Sequence, residues 1–301
     1  MKNIISYFYN LEPNNIHQYE KKLKFSVDNN NYVFLPCYHT EKEIKDLQSL
    51  STTLLSKGVY CHQFILNVNS TIITMVNNLP YVLLLVYIND NRLISFDDLI
   101  WFTNIDNLPV VESLKRDNWF SLWTEKIDYF EYQVSQFGKK FPLLRESFSY
   151  FVGMAETSIS FLKNINTNYN PILSLSHGRM KKNHTLFDLY NPLNFIVDSK
   201  IRNICEYFKD CFFKDNDLTI DLFNYISYNN LTTSDSLSLY ARMLFPTFYF
   251  DIYELIVHGN LEEKEVLKII QKTNDYQLFL KQLHNYLKQY IAIPNIEWIN
   301  K

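Results

Sequence analysis

The spacing of apolar residues changes once along this chain. Over the first ninety residues they come in short runs. LKFSV and YVFLPC flank the Asn-rich DNNN, which predicts two strands around a tight turn. EKEIKDLQSLSTTLLSKG follows, with Ile44, Leu47, Ser51 and Leu54 at helical spacing and Gly58 placed as a C-terminal stop. QFILNV and TIITMV then surround the turn NS, and YVLLLVYI comes after the break NNLP. The predicted order is strand, strand, helix, and three further strands.

Beyond Asp106 the period lengthens. Trp123, Ile127, Phe130, Val134 and Phe137 recur every three or four residues, predicting a long amphipathic helix that stops at Gly138. After Pro142, the positions Leu144, Phe148, Val152, Ala155, Ile159 and Leu162 predict a second. Helices are predicted again over Lys200 to Phe213, Asp217 to Tyr228, Thr233 to His258, Leu261 to Thr273 and Tyr276 to Tyr290, with Pro246 kinking or dividing the longest. A β-rich lobe with one helix (1–90), a linker (91–105) and a helical lobe (106–301) are therefore expected. The exception is Pro171 to Asp198, where the break NP precedes the strand-like run LNFIVD. A short strand ending in a carboxylate inside a helical lobe is where a site would be built.

Composition narrows the classes. The chain has 301 residues, 47% of them apolar, enough for a core without metal or disulfide staples. Cys37, Cys61, Cys205 and Cys211 lack C-x-x-C spacing and are expected as buried free thiols in a reducing compartment. Net charge is −3 and no long basic run occurs, which argues against a nucleic-acid partner. MKNIISYFYN carries no signal-peptide pattern, and the longest apolar run, Pro80 to Ile88, falls short of the ~20 residues of a membrane span. A soluble intracellular protein is expected.

The segment SLSHGRMKKNH, Ser174 to His184, resembles the loop H-G-D-x-x-x-x-N of aminoglycoside and choline kinase-like enzymes. His177 and Gly178 match, Arg179 stands at the catalytic Asp, and His184 stands at the metal-binding Asn. Val197-Asp198 matches the metal-binding pair that follows in that fold. VDSKIRNICEYFKD, YFVGMAETSISFL and ARMLFPTFYFDIYE are similar to segments of the spore-coat kinase-like proteins of the CotS and YutH type, in the same order. The resemblance covers most of the helical lobe, whereas the first lobe matches only in its order of elements. It implies an α+β, two-lobed protein-kinase-like fold: a small antiparallel-sheet N-lobe with one helix and a larger, mostly helical C-lobe whose degenerate catalytic loop spans 174–198.

That resemblance also shows which chemistry is missing. Phosphoryl transfer needs a phosphate-cradling glycine loop, a lysine on the third strand, a partner acid and two metal ligands. Gly58 is the single glycine before Gly138, and Phe34 and Leu35 occupy the expected lysine position. A guanidinium at Arg179 cannot accept a proton; it is expected as an ion-pair partner, to Asp198, or as an anion clamp. His177 is expected as a structural histidine bonded to backbone, Gly178 as a backbone-conformation residue, and Arg202 and Glu206 as an i, i+4 ion pair. His177 and His184 lack a third ligand for zinc. A positioned base is worth ~10²–10⁴ in rate, so losing it with the lysine, the glycine loop and one metal ligand leaves little above background. The expected function is a pseudokinase with protein partners, coat proteins among them, in the mother-cell cytoplasm or the spore coat, without cofactor. The alternative is an active phosphotransferase using ATP and magnesium, with Asp198 as metal ligand, Asn183 as the second, and Asp188 or Asp210 as base.

Overall fold

The computed structural model describes residues 2–116, 118–137, 139–165 and 172–300. Gly138, the expected helix stop, and Pro171, expected to open the inserted segment, lie outside them. Helix α1 (Lys2–Tyr9) comes first. Strands β1 (Asn14–Tyr19), β2 (Lys22–Val27) and β3 (Asn30–Pro36) precede helix α2 (Glu41–Ser56), and β4 (Gln63–Ile65), β5 (Thr74–Val76) and β6 (Leu79–Val86) follow it. The strands form one antiparallel sheet in the order β1-β2-β3-β6-β4, with β5 pairing the start of β6.

Turn chemistry fixes the register. Asp28 and Asn29 have φ of 47° and 67°, and Asn77 and Asn78 have 50° and 63°. Two successive positive-φ residues are what a two-residue hairpin loop requires, so Val27 pairs with Asn30 and Val76 with Leu79. Alternation then puts Leu23, Phe25, Phe34, Tyr81 and Leu83 on one face, where they pack with Ile5 and Tyr9 of α1. Thr40 and Glu43 cap α2 reciprocally, and Gly58 beyond its end has φ +82°.

The sequence pattern predicted one helix here and missed three elements. α1 and β1 precede the first patterned run, and every residue of β1 is exposed, so it carries no alternation to read. Helix α3 (Phe96–Thr103) lies in the stretch expected as a linker and is capped by Ser95 and Asp98.

Helices α4 (Trp119–Phe137) and α5 (Pro142–Ile165) come next, then β7 (Leu173–His177), the single turn α6 (Leu186–Leu189) and β8 (Phe195–Ser199), which pairs with β7. The rest is helical: α7 (Arg202–Phe213), α8 (Thr219–Tyr228), α9 (Thr233–Leu244), α10 (Thr247–Val257), α11 (Leu267–Gln271) and α12 (Thr273–Leu287). Pro246 divides α9 from α10, since it supplies no N–H to continue the ladder. Contacts divide the chain into two compact units. One comprises Met1–Lys115, Ser174–Gly178 and Asn183–Val197; the other comprises Arg116–Leu173, Arg179–Lys182 and Asp198–Lys301.

The helical unit is cored by aromatic stacks. Trp123 lies on Phe245 at 4.2 Å, Phe151 on Tyr249 at 3.9 Å and Phe213 on Phe248 at 3.8 Å. α5 and α9 are tied where Ser158 donates to the Ala241 carbonyl at 2.6 Å. All four cysteines are free and buried.

Candidate functional site

Asp198 is the fourth of the five residues of β8, all of them buried, and groups with the helical unit. A carboxylate 1% exposed must find donors within the protein, and this one finds four. Oδ1 accepts from the Ser199 N–H at 2.6 Å and from Nη2 of Arg242 at 2.9 Å. Oδ2 accepts from the Trp119 indole N–H at 2.9 Å and Nη1 of Arg202 at 3.0 Å. Trp119 also offers its ring, with the Arg202 and Arg242 guanidinium carbons 4.4 and 4.7 Å from its centroid. Burial pushes Arg202 down to about 10; Asp198 opposes that fall and Arg242 adds to it.

One helical turn further along α7, Glu206 anchors a second ion cluster. It accepts from Lys209 Nζ at 3.0 Å and Thr247 Oγ1 at 3.1 Å, and Arg179 Nη1 lies 3.5 Å away. Burial pushes the Glu206 carboxyl up, but Lys209, Arg179 and Arg202 together outweigh it and hold the group below the ordinary carboxylate range. Lys209 also donates to the carbonyls of Arg242 and Phe245 at 2.8 and 3.2 Å. Burial pushes its ammonium down, opposed by Glu206. Arg179 reaches Asp251 at 2.7 Å, so its partners are Asp251 and Glu206 rather than the expected Asp198. The expected Arg202–Glu206 pair is likewise replaced: Arg202 turns back to Asp198, and Glu206 takes Lys209.

The rest of the loop is held by backbone. His177 is buried between Phe102 and Phe195, with Nε2 at 2.8 Å from the Leu189 carbonyl. Gly178 donates its N–H to Asn194 O at 2.9 Å. Its φ lies outside the left-handed region and a Cβ would meet nothing, so no backbone strain requires glycine there. Asn183 is exposed, and the His184 carbonyl accepts from Ile94 N–H. Both alternative bases serve as local anchors: Asp188 caps α6 through Thr185, and Asp210 accepts from the Lys182 N–H and from Lys214 Nζ.

On the sheet, Phe34 stacks on Tyr81 at 4.8 Å within the α1-side core, so Leu35 is the expected lysine position that faces the other way. A cation on that opposite face comes from the neighbouring strand. Lys24 of β2 pairs with Val33, and its Nζ lies 5.0 Å over the Phe187 ring.

A magnesium ion held in the manner of this fold needs carboxylate oxygens with free lone pairs and room for several waters. Asp198 has about four lone-pair sites, and four donors take them. These residues do not fit the metal.

The profile of the family described as "Spore coat putative kinase YutH" matches residues 2–283. The chain belongs to this YutH family. The endospore coat-associated protein YutH of Bacillus subtilis (strain 168) is 26% identical over 212 residues, which span 61% of this chain and 61% of that protein. Solved structures with the same fold include an aminoglycoside phosphotransferase from Alicyclobacillus acidocaldarius (TM-score 0.65, 10% identity, 93% of this chain and 94% of the other). The AMP-bound spectinomycin phosphotransferase APH(9)-Ia is another (TM-score 0.59, 11% identity, 99% and 96%). This chain thus has a kinase-like fold, with an antiparallel sheet in its N-terminal part and a mostly helical remainder.

The sequence pattern marks Asp198 and Arg179 in this site but not Trp119, Arg242, Lys209 or Asp251. Arg242 lies inside the family-like run ARMLFP and Arg202 inside VDSKIR. Nothing local says that both turn to one carboxylate.

Proposed function

We propose that this chain is a non-catalytic member of its family: a spore-coat component that works through protein contacts and no longer transfers a phosphoryl group. One observation carries the reading. The acid at the metal-binding position of the fold has its acceptor sites filled by two guanidiniums, an indole N–H and a backbone N–H. Replacement of the catalytic Asp by Arg179 supports the same conclusion, because a guanidinium committed to Asp251 can take no proton from a substrate hydroxyl. The proposed setting is the mother cell and the coat built there, with other coat proteins as partners.

Exposed aromatic residues support contact with proteins. Tyr7, Tyr38, Tyr60, Tyr132 and Tyr228 stand in solvent, and tyrosine is enriched where proteins meet. Among the described residues no helix is long and apolar enough to cross a membrane. The test is thermal unfolding with ATP and magnesium, together with an assay of ADP release over amino-sugars, choline-like alcohols and sugars. A ligand that binds only the folded chain at a hundred times its dissociation constant adds about 2.7 kcal/mol, so no shift and no turnover are expected. Metal-dependent stabilisation accompanied by phosphate transfer would overturn the proposal.

A further inference from the structure

The face of the sheet turned away from α1 carries a pocket of about 240 Å³, wholly within the sheet-bearing unit. Register builds it. His17 pairs with Lys24 and Lys24 with Val33, while Ser26 pairs with Asn31 and Asn31 with Val86, so these side chains share one face. Buried Val33 and Val86 give an apolar floor, and Phe187, from the segment Asn183–Val197, gives a wall. Asn15, His17 and Asn89, all exposed, and half-buried Asn31 line the rest. Among the described residues no carboxylate lines it.

Lys24 gives the pocket its charge. The residue is half-buried, its ammonium has no ion-pair partner among the described residues, and Nζ lies 5.0 Å over the Phe187 ring. Phe187 is held in turn: its carbonyl is 3.1 Å from Nε2 of buried His62, and the two rings lie 4.7 Å apart. The cation is thereby kept beside an apolar floor, where salt screens a new pair less than on open surface. Around it, amides and an imidazole can each donate and accept hydrogen bonds, as a hydroxyl does. Asn15 is already engaged, donating to Ser26 Oγ at 3.2 Å; the side chains of His17, Asn31 and Asn89 make no hydrogen bond among the described residues. Phosphate is a poor match, because the β1–β2 turn, Glu20-Lys21, has no glycine with which to cradle it. A cavity of about 150 Å³ holds a six-membered ring, so this pocket has room for a ring and its polar substituents.

We infer that this pocket binds a polyhydroxylated monocarboxylic acid the size of one sugar-acid ring. Its carboxylate accepts from Lys24, its hydroxyls meet His17, Asn31 and Asn89, and its C–H face lies on Val33 and Val86. The inference goes beyond the non-catalytic reading and does not rest on it, since no phosphoryl group, metal or member of the Asp198 cluster takes part.

The test is ligand-observed NMR titration of the full chain in EDTA with D-glucuronate, D-glucose, benzoate and AMP. Glucuronate is expected to bind saturably, at millimolar affinity or better. Glucose has the hydroxyls without the charge, and benzoate the charge without the hydroxyls. Each is expected to bind at least about tenfold more weakly, a difference of 1.4 kcal/mol. Lys24→Met keeps an aliphatic stem and should unfold at the wild-type temperature, with glucuronate affinity down about tenfold; Lys24→Arg should retain it. Asn89→Ala, at an exposed position, should weaken binding by about two- to fivefold, the worth of a neutral hydrogen bond. Absence of saturable glucuronate binding, equal binding of glucose or benzoate, tighter binding of AMP, or unchanged glucuronate affinity in Lys24→Met would each overturn the inference. Should Lys24→Met fail to fold, unchanged affinity in Asn89→Ala overturns it instead. ADP release measured on the same preparations tests the non-catalytic reading separately: turnover would end that reading while glucuronate binding stood.

Discussion

Asp198 makes opposite predictions as an ion-pair hub and as a metal ligand. A magnesium ligand can be removed with loss of turnover and an intact fold. Here Asp198→Ala strips two buried guanidiniums of their shared counter-ion and leaves the Trp119 N–H without its acceptor. Removing one partner of a buried pair costs about 3–5 kcal/mol, so the urea midpoint should fall steeply. A midpoint unchanged from wild type would mean the cluster is not structural. Lys209→Met should behave alike, because Glu206 then keeps Arg179 and Thr247 but loses its most buried cation. The same loss of about 3–5 kcal/mol is expected, read by denaturant unfolding at neutral pH. Little of this was legible in sequence. Arg179 at the base position and Asp198 near the end of its strand can be read from an eight-residue motif and its distance to a carboxylate. Trp119, 79 residues before Asp198, and Arg242, 44 after it, meet only in three dimensions, and no local pattern announces such a meeting.

Elements were legible where they bury one face. β2, β3, β6 and α2 showed themselves because a pleat or a helix alternates apolar with polar residues, and their turns used Asn and Asp where positive φ is needed. β1 buries nothing and contributes only backbone to the sheet, so no pattern marks it. α3 had a signal in Ser95-x-x-Asp98, a reciprocal cap, hidden by its position in a stretch without long periodicity. The end of α2 is a test of such turn chemistry. Gly58→Ala meets no atom within 4 Å but must hold φ +82°, which costs about 1–2 kcal/mol of backbone strain; a smaller loss in thermal unfolding would show that the turn relaxes. At the start of β4, His62 is buried with Nε2 at 3.1 Å from the Phe187 carbonyl. Burial lowers its pKa to about 4, with Phe187 and Asp188 opposing and Lys24 reinforcing the fall. The folded imidazole therefore stays neutral while the unfolded one gains a proton below about 6.5. Stability should fall as pH drops from about 6.5 to about 4, by on the order of 3 kcal/mol, and level off below. His62→Gln should flatten that part of the curve of unfolding free energy against pH; an unchanged slope would assign it to other groups.

At the scale of the molecule, the two compact units are not two lengths of chain. The sheet-bearing unit takes Met1–Lys115 and then reclaims Ser174–Gly178 and Asn183–Val197 from the middle of the helical sequence. Those returning segments complete its interior. His177 and Phe195 pack on Phe102, the His62 N–H donates to Tyr190 O, and Ile94 N–H donates to His184 O. A fragment of residues 1–115 would retain the six strands, α1, α2 and α3 yet leave Phe102 and the polar ring of His62 facing water. Burial of a Phe side chain is worth about 1.5–3 kcal/mol, and small domains have a total margin of only about 5–15 kcal/mol. Loss of several such contacts should remove most of that margin. The fragment is therefore expected to keep far-ultraviolet circular dichroism, lose its near-ultraviolet signal and bind a hydrophobic dye, the marks of a compact state without fixed packing. A 1–115 fragment that unfolds cooperatively with native near-ultraviolet dichroism would show that the returning strands decorate a self-sufficient unit. The expected failure would mean instead that the segments Ser174–Gly178 and Asn183–Val197 are kept because the sheet-bearing unit cannot close its own core without them.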